Sequence, residues 1–195
     1  MSTEVTEIIF LLDRSGSMSG LEGDTIGGFN AFLKRQNELE GKTRLTTVLF
    51  DDQYEILWDG IEASMVRLTN AHYYVRGMTA LLDAVGKTIV DVGYRLSRTI
   101  DQEKPSNVIF VITTDGLENA SKEYNYEQVN RLISQKQEKD EWKFVFLGAN
   151  MEAGMEANKL GISEKDAFDF EASMTGLSKM YETVNNIVCE KRLGE

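Results

Sequence analysis

Short, continuous apolar runs alternate along this chain with segments of helical period, and that alternation leaves few folds open. Residues 8–12 (Ile8, Ile9, Phe10, Leu11, Leu12) are apolar without a break. A strand apolar on both faces must be covered on both faces, as a central strand of a parallel sheet is. With its flanks, this run predicts a first strand over residues 5–12. A Gly/Ser-rich turn follows. A helix is then predicted over 24–39, with Ile26, Phe29, Phe32 and Leu33 on one side and Gly41 as its stop. Further strands are predicted over 45–50, 54–58, 108–113, 144–147 and 168–170. Helices are predicted over 79–96, from Asn125 with Gln128 completing a capping box, over 151–160 and over 177–193. The turn Asp51-Asp52-Gln53 is too short to join parallel strands, so the third strand should run antiparallel at an edge. Residues 60–78 read mostly as loop. The pattern as a whole predicts an α/β fold: a doubly wound, mostly parallel six-stranded sheet with one antiparallel edge strand and helices on both faces.

The 195 residues suffice for one domain with a sizeable core. Asp and Glu number 32 against 21 Lys and Arg, a net charge of −11. That balance argues against nucleic acid or an anionic membrane as the main partner, because phosphate binding needs clustered cations. Cys189 is the only cysteine, so an internal disulfide or a Cys-based zinc site is excluded; it reads as a small core residue. The first residues are polar and acidic, without the basic start and apolar run of a signal peptide. The apolar runs are far too short to span a bilayer. A cytoplasmic location is therefore expected.

The stretch that carries chemistry is Asp13-Arg14-Ser15-Gly16-Ser17, directly after the first strand. Ligands of doubly wound sheets sit at the carboxyl ends of the strands, near the point where strand order reverses. In a tight turn, residues two apart can converge, so Asp13, Ser15 and Ser17 can each offer an oxygen to one point. Thr79, after Gly77-Met78, and Asp115, after Thr113-Thr114, supply oxygen from two other connections. These are hard ligands, suited to magnesium, manganese or calcium rather than zinc or copper. Arg14 and Met18 flank the cluster and are expected on its rim.

Asp-x-Ser-x-Ser after a buried strand, a later lone Thr and an Asp-Gly after a further strand together resemble the metal-ion-dependent adhesion site of von Willebrand factor A (vWA) domains. The wording Leu-Asp-Arg-Ser-Gly-Ser-Met and Thr-Thr-Asp-Gly carries the resemblance, which covers nearly the whole chain. It implies a single vWA domain over residues 1–195 with strand order 3-2-1-4-5-6. It implies that Ser15, Ser17 and Thr79 coordinate the ion, with Asp13 and Asp115 holding it directly or through water. It also implies a cofactor, Mg²⁺ with Mn²⁺ or Ca²⁺ as alternatives, and a partner protein that contributes a Glu or Asp. Without the disulfides and signal sequence of extracellular members, the chain looks more like the intracellular bacterial and phage-borne ones.

Plainer readings stand beside these. Taken alone, Asp13-x-Ser15-x-Ser17 is an ordinary turn, Thr79 an N-cap and Asp115-Gly116 a turn signal. Glu118 and Asn119 read as solvent-facing, Asp51 and Asp52 as a polar hairpin turn, and His72 as a loop residue packed among tyrosines. A metal-dependent phosphohydrolase using Asp13 as nucleophile is a weaker alternative. Such enzymes need a second acid two residues on, and that position is Ser15, which is neither acid nor base near neutral pH. The chain is therefore expected not to be an enzyme. A scaffold subunit with a purely structural metal site is the third reading.

Overall fold

The computed structural model describes residues 4–194. Residues 1–3 and 195, part of the acidic N-terminal stretch and the ends of the 1–195 span, lie outside the described residues. Six strands, β1 (Val5–Asp13), β2 (Lys42–Phe50), β3 (Tyr54–Glu62), β4 (Asn107–Thr114), β5 (Lys143–Ala149) and β6 (Ala167–Phe170), form one sheet in the order β3-β2-β1-β4-β5-β6. All neighbours are parallel except β2 and β3. This is the predicted α/β architecture, antiparallel edge included.

Alternation of side chains along β1 splits the core in two. Ile9 and Leu11 face one side with Val48, Phe110, Ile112 and Phe144. That side is covered by α2 (Leu81–Arg98), α3 (Tyr126–Asp140) and α4 (Ala153–Leu160), through Val85, Ile89, Ile133 and Leu160. Ile8, Phe10 and Leu12 face the other side, under α1 (Glu22–Glu38) and α5 (Met174–Leu193). Phe10 meets Phe29 and Phe32 of α1 edge-on, with ring centroids 5.3 and 5.6 Å apart. Removing so large a buried ring costs about 3–5 kcal/mol in a typical core. The helices α1 and α5 approach so closely that a Cβ on Gly28 would overlap the Tyr181 ring. The Tyr181 hydroxyl donates to the Thr25 carbonyl at 3.2 Å.

Several boundaries differ from those the periodicity predicts. Strand β3 continues to Glu62 instead of ending at residue 58. The Asp59-Gly60 pair looks like a stop, but it lies where the β2–β3 register shifts. Gly60 takes a φ of +64° and donates its N–H to Thr46 Oγ1 at 3.0 Å. A bulge of this kind absorbs a turn-like residue without ending the strand. Helix α2 begins at Leu81, two residues after Thr79. The capping box of α3 forms as read: Gln128 N–H donates to Asn125 Oδ1, and Asn125 N–H to Gln128 Oε1, both at 2.9 Å. The connection after β3 is mostly loop, tied down by the Asn30 amide, which bonds both the N–H and the carbonyl of Leu68.

Candidate metal centre

Strand order reverses between β1 and β4, and the predicted residues gather at the carboxyl ends of these two strands. Asp13 is the last residue of β1. A single 3₁₀ turn, Gly16–Met18, follows and curls the chain so that Ser15 and Ser17 lie on one side, their hydroxyl oxygens 3.1 Å apart. Asp115 follows the last residue of β4, and its Oδ1 accepts from the Ser17 hydroxyl at 2.5 Å. Thr79 closes the group. A Cβ on Gly116 would lie 3.2 Å from Thr79 Oγ1 and 3.6 Å from Ser17 Oγ, so both hydroxyls border the same small volume. Of the residues nominated from sequence, all are brought together.

The electrostatics of the group are unbalanced. Asp13 Oδ1 accepts from Ser15 N–H at 2.7 Å and Oδ2 from the Thr114 hydroxyl at 2.6 Å. These donors, like Ser17 at Asp115, are neutral. Burial pushes the Asp13 carboxyl up to about 6, against the lowering effect of its hydrogen bonds to Ser15 and Thr114. Burial also raises Asp115, with the Ser17 hydroxyl opposing. The second oxygen of Asp115, Oδ2, is buried and has no hydrogen-bond partner among the described residues. A buried acceptor without a donor is costly. Here it lies on the carboxylate that Ser17 contacts, among oxygen donors with no cationic side chain bonded to them. The donor set therefore fits a hard divalent cation. Among the described residues no group of three or more His, Cys, Asp or Glu is placed to hold a metal ion, so an ion here would need the hydroxyls among its ligands.

Two loops are fastened around the cluster by residues the sequence reading placed elsewhere. Asn119 is exposed, as expected, but its Oδ1 also accepts from Thr79 N–H at 2.9 Å and its own N–H donates to the Thr79 carbonyl at 3.0 Å. Glu118 is likewise engaged: it accepts from the N–H groups of Leu82, Ala120 and Ser121. Asp83 accepts from three successive N–H groups, Lys122 to Tyr124. Thr79 is not an N-cap; Ala80 occupies that position, without a side-chain bond. The Thr79 hydroxyl is thus not spent on capping. Arg14 and Met18 do not form the rim either, since both are buried. Met18 sits in the apolar space below the loop, and Arg14 turns under it to Asp51. Asp51 is fully buried rather than part of a solvated turn. The Tyr73 hydroxyl supports the end of β1, donating to the Asp13 carbonyl at 2.6 Å. Two exposed apolar side chains, Met78 and Leu117, are next in sequence to Thr79 and Gly116. Apart from the Glu118 bonds to Ala120 and Ser121, these bonds join residues far apart in sequence, and no short-range pattern signals them.

Comparison with protein-family models and with curated proteins finds no match. Solved structures do match. The vWF domain of the type V pili tip protein Mfa5 from Porphyromonas gingivalis superposes with a TM-score of 0.63 at 11% identity, covering 95% of this chain and 96% of that one. The chain has the vWA fold. The ArnB paralog VWA2 from Sulfolobus acidocaldarius also shares it, with a TM-score of 0.57 at 16% identity, over 91% of this chain and 44% of that one. So does proximal thread matrix protein 1 from the mussel byssus, in a structure whose MIDAS motif is occupied by zinc. There the TM-score is 0.66 at 18% identity, over 96% of this chain. The chain spans only 46% of the mussel protein's length. Within the vWA fold, the first and fourth strands deliver the loops that meet here, which explains why Asp13 and Asp115 converge across a long stretch of sequence. No helix among the described residues is long and apolar enough to cross a membrane.

Proposed function

We propose that this chain is a binding module that holds one divalent cation and uses it to capture an acidic residue of a partner protein. Ser15, Ser17 and Thr79 supply neutral oxygens, and Asp13 and Asp115 supply the balancing charge, directly or through water. Mg²⁺ is the proposed ion, with Mn²⁺ or Ca²⁺ as substitutes. The mussel protein's motif holds zinc, but an all-oxygen donor set favours a harder ion. A bound ion would supply an electrophilic centre with room for one more oxygen ligand, the chemistry that a Glu or Asp carboxylate satisfies. Exposed Met78 and Leu117 offer apolar contact around that carboxylate. The observation that carries the reading is Asp115 Oδ2: buried and without a partner among the described residues, on the carboxylate whose other oxygen accepts from the Ser17 hydroxyl. A binding role is favoured over catalysis because Ser15 stands where a hydrolase using Asp13 would need an acid.

The test is a calorimetric titration of the purified chain with MgCl₂ and MnCl₂, repeated for Ser15→Ala and Thr79→Ala. Saturable uptake by the wild type, reversed by EDTA and lost in both variants, is expected. Chelator-sensitive retention on an immobilised acidic partner from the native host would extend it to the second half of the proposal. A folded wild type that takes up neither metal would sink the reading.

A further inference from the structure

A cation-binding role leaves one buried charge cluster without an assignment. Arg14, between Asp13 and Ser15, is fully buried, an expensive place for a charge. Its Nε donates to Asp51 Oδ2 at 3.1 Å and its Nη1 to Glu55 Oε2 at 2.8 Å. Its Nη2 has no hydrogen-bond partner among the described residues. Arg76 Nε donates to the same Asp51 oxygen at 2.6 Å. The Tyr74 ring lies against both guanidinium groups, its centroid 5.5 Å from Arg14 Cζ and 5.6 Å from Arg76 Cζ. The other Asp51 oxygen accepts from Gln53 N–H at 2.6 Å, and its carbonyl accepts from Ala80 N–H at 2.8 Å. The main chains of the two loops are joined directly as well: Arg76 N–H donates to the Arg14 carbonyl at 2.8 Å, and Gly16 N–H to the Gly77 carbonyl at 3.2 Å.

We propose that Asp51 is a positioning residue for the candidate cation site, an inference that rests on the binding reading above. The Asp51 carboxylate grips both the loop that carries Ser15 and Ser17, through Arg14, and the loop that carries Thr79, through Arg76, while the main-chain carbonyl of Asp51 holds Ala80. It thereby sets the hydroxyls of the two loops against each other. It also neutralises a guanidinium that would otherwise oppose a dication one residue away. Stability alone does not account for the cluster. Buried ion pairs are commonly matched or bettered by apolar replacements, so a charged hub under these loops points to positioning. Groups that orient metal ligands typically affect metal affinity by roughly 10–100-fold.

The experiment is Mn²⁺ titration, by calorimetry and by loss of the free-ion paramagnetic resonance signal, on wild type, Asp51→Asn, Arg76→Gln and the double variant. Far-UV circular dichroism and thermal melts check that each is folded. Asp51→Asn should bind Mn²⁺ about 10–100-fold more weakly while folded. Arg76→Gln should lose less, and the double variant no more than Asp51→Asn alone, because Arg76 acts through Asp51. A folded Asp51→Asn with wild-type affinity overturns the proposal, and so do losses that simply add. Should Asp51→Asn fail to fold, Arg76→Gln decides: its side chain is 37% exposed, and unchanged Mn²⁺ affinity there overturns the inference. A wild type that takes up no Mn²⁺ overturns the binding reading itself, a result seen before any variant is made.

Discussion

Two buried carboxylates on the same strand show what separates a structural acid from a site. Glu7, near the start of β1, is fully buried and accepts from the Thr46 hydroxyl at 2.9 Å. Arg95 of α2 brings its guanidinium to both Glu7 oxygens, with Nη1 3.2 Å from Oε2. Its charge is answered within the chain. Asp13, at the other end of the strand, is as deeply placed, but among the described residues it receives only neutral donors, and beside it Asp115 has one oxygen with nothing to accept. One acid is complete; the pair at the carboxyl end is left without a charged partner, which is what the proposed cation would supply.

The contrast breaks most severely if Glu7 is removed. Glu7→Gln should destabilise the chain by about 3 kcal/mol in urea denaturation, the low end for a broken buried pair because Arg95 keeps some contact with water. A loss below about 1 kcal/mol would deny the pair its structural role. Asp13→Asn should do the reverse. It removes an uncompensated charge, so the metal-free melting temperature should hold or rise, while Mn²⁺ affinity falls by at least about 100-fold, beyond what supporting residues alone give. A marked fall in metal-free stability would show that Asp13 is a structural acid after all.

The pH dependence sharpens the same comparison. The Asp13 carboxyl titrates near 6 in the folded chain against 3.8 for an ordinary aspartate. The folded state therefore holds its proton longer than the unfolded state. This group's contribution to stability is fully present below pH 3.8 and is lost as pH rises through about 6. Asp115 shifts in the same direction. Melting curves in EDTA should show that decline between about pH 4 and pH 6, and saturating Mg²⁺ should abolish it by binding the ionised form. A flat profile in EDTA, or one that Mg²⁺ leaves unchanged, would remove the electrostatic half of the comparison. The smallest effect is expected at Asn119. Replacing it with Ala deletes the bond to Thr79 N–H and should cost about 1 kcal/mol, with a several-fold weaker Mn²⁺ titration.

The strands, the antiparallel edge and the oxygen-bearing residues of the cluster were legible in the sequence because each leaves a local mark, whereas the strand order came only with the resemblance to vWA domains. Ile8 to Leu12 announces a strand covered on both faces, and the short turn at Asp51 forbids a parallel partner. The supports of the site leave no such mark. Asn119 beside a turn reads the same whether its amide meets water or the backbone of Thr79, forty residues away. Arg14 is a polar residue in a polar loop until the fold brings Asp51 beneath it. The extension of β3 past Asp59-Gly60 was hidden for a related reason: a bulge and a turn draw on the same residue types, and only the partner strand distinguishes them.

The near-contact of Gly28 with Tyr181 bears on how this site can be transplanted or trimmed. The helix that leaves the Asp13–Ser17 loop has no side chain at position 28, and the phenol of the last helix fills that notch while bonding back to Thr25. The two helices are interlocked in the manner of a dovetail joint. An engineer who grafts the Asp13–Ser17 loop with α1 onto another scaffold must therefore bring α5 along, or refill the notch with a new aromatic group.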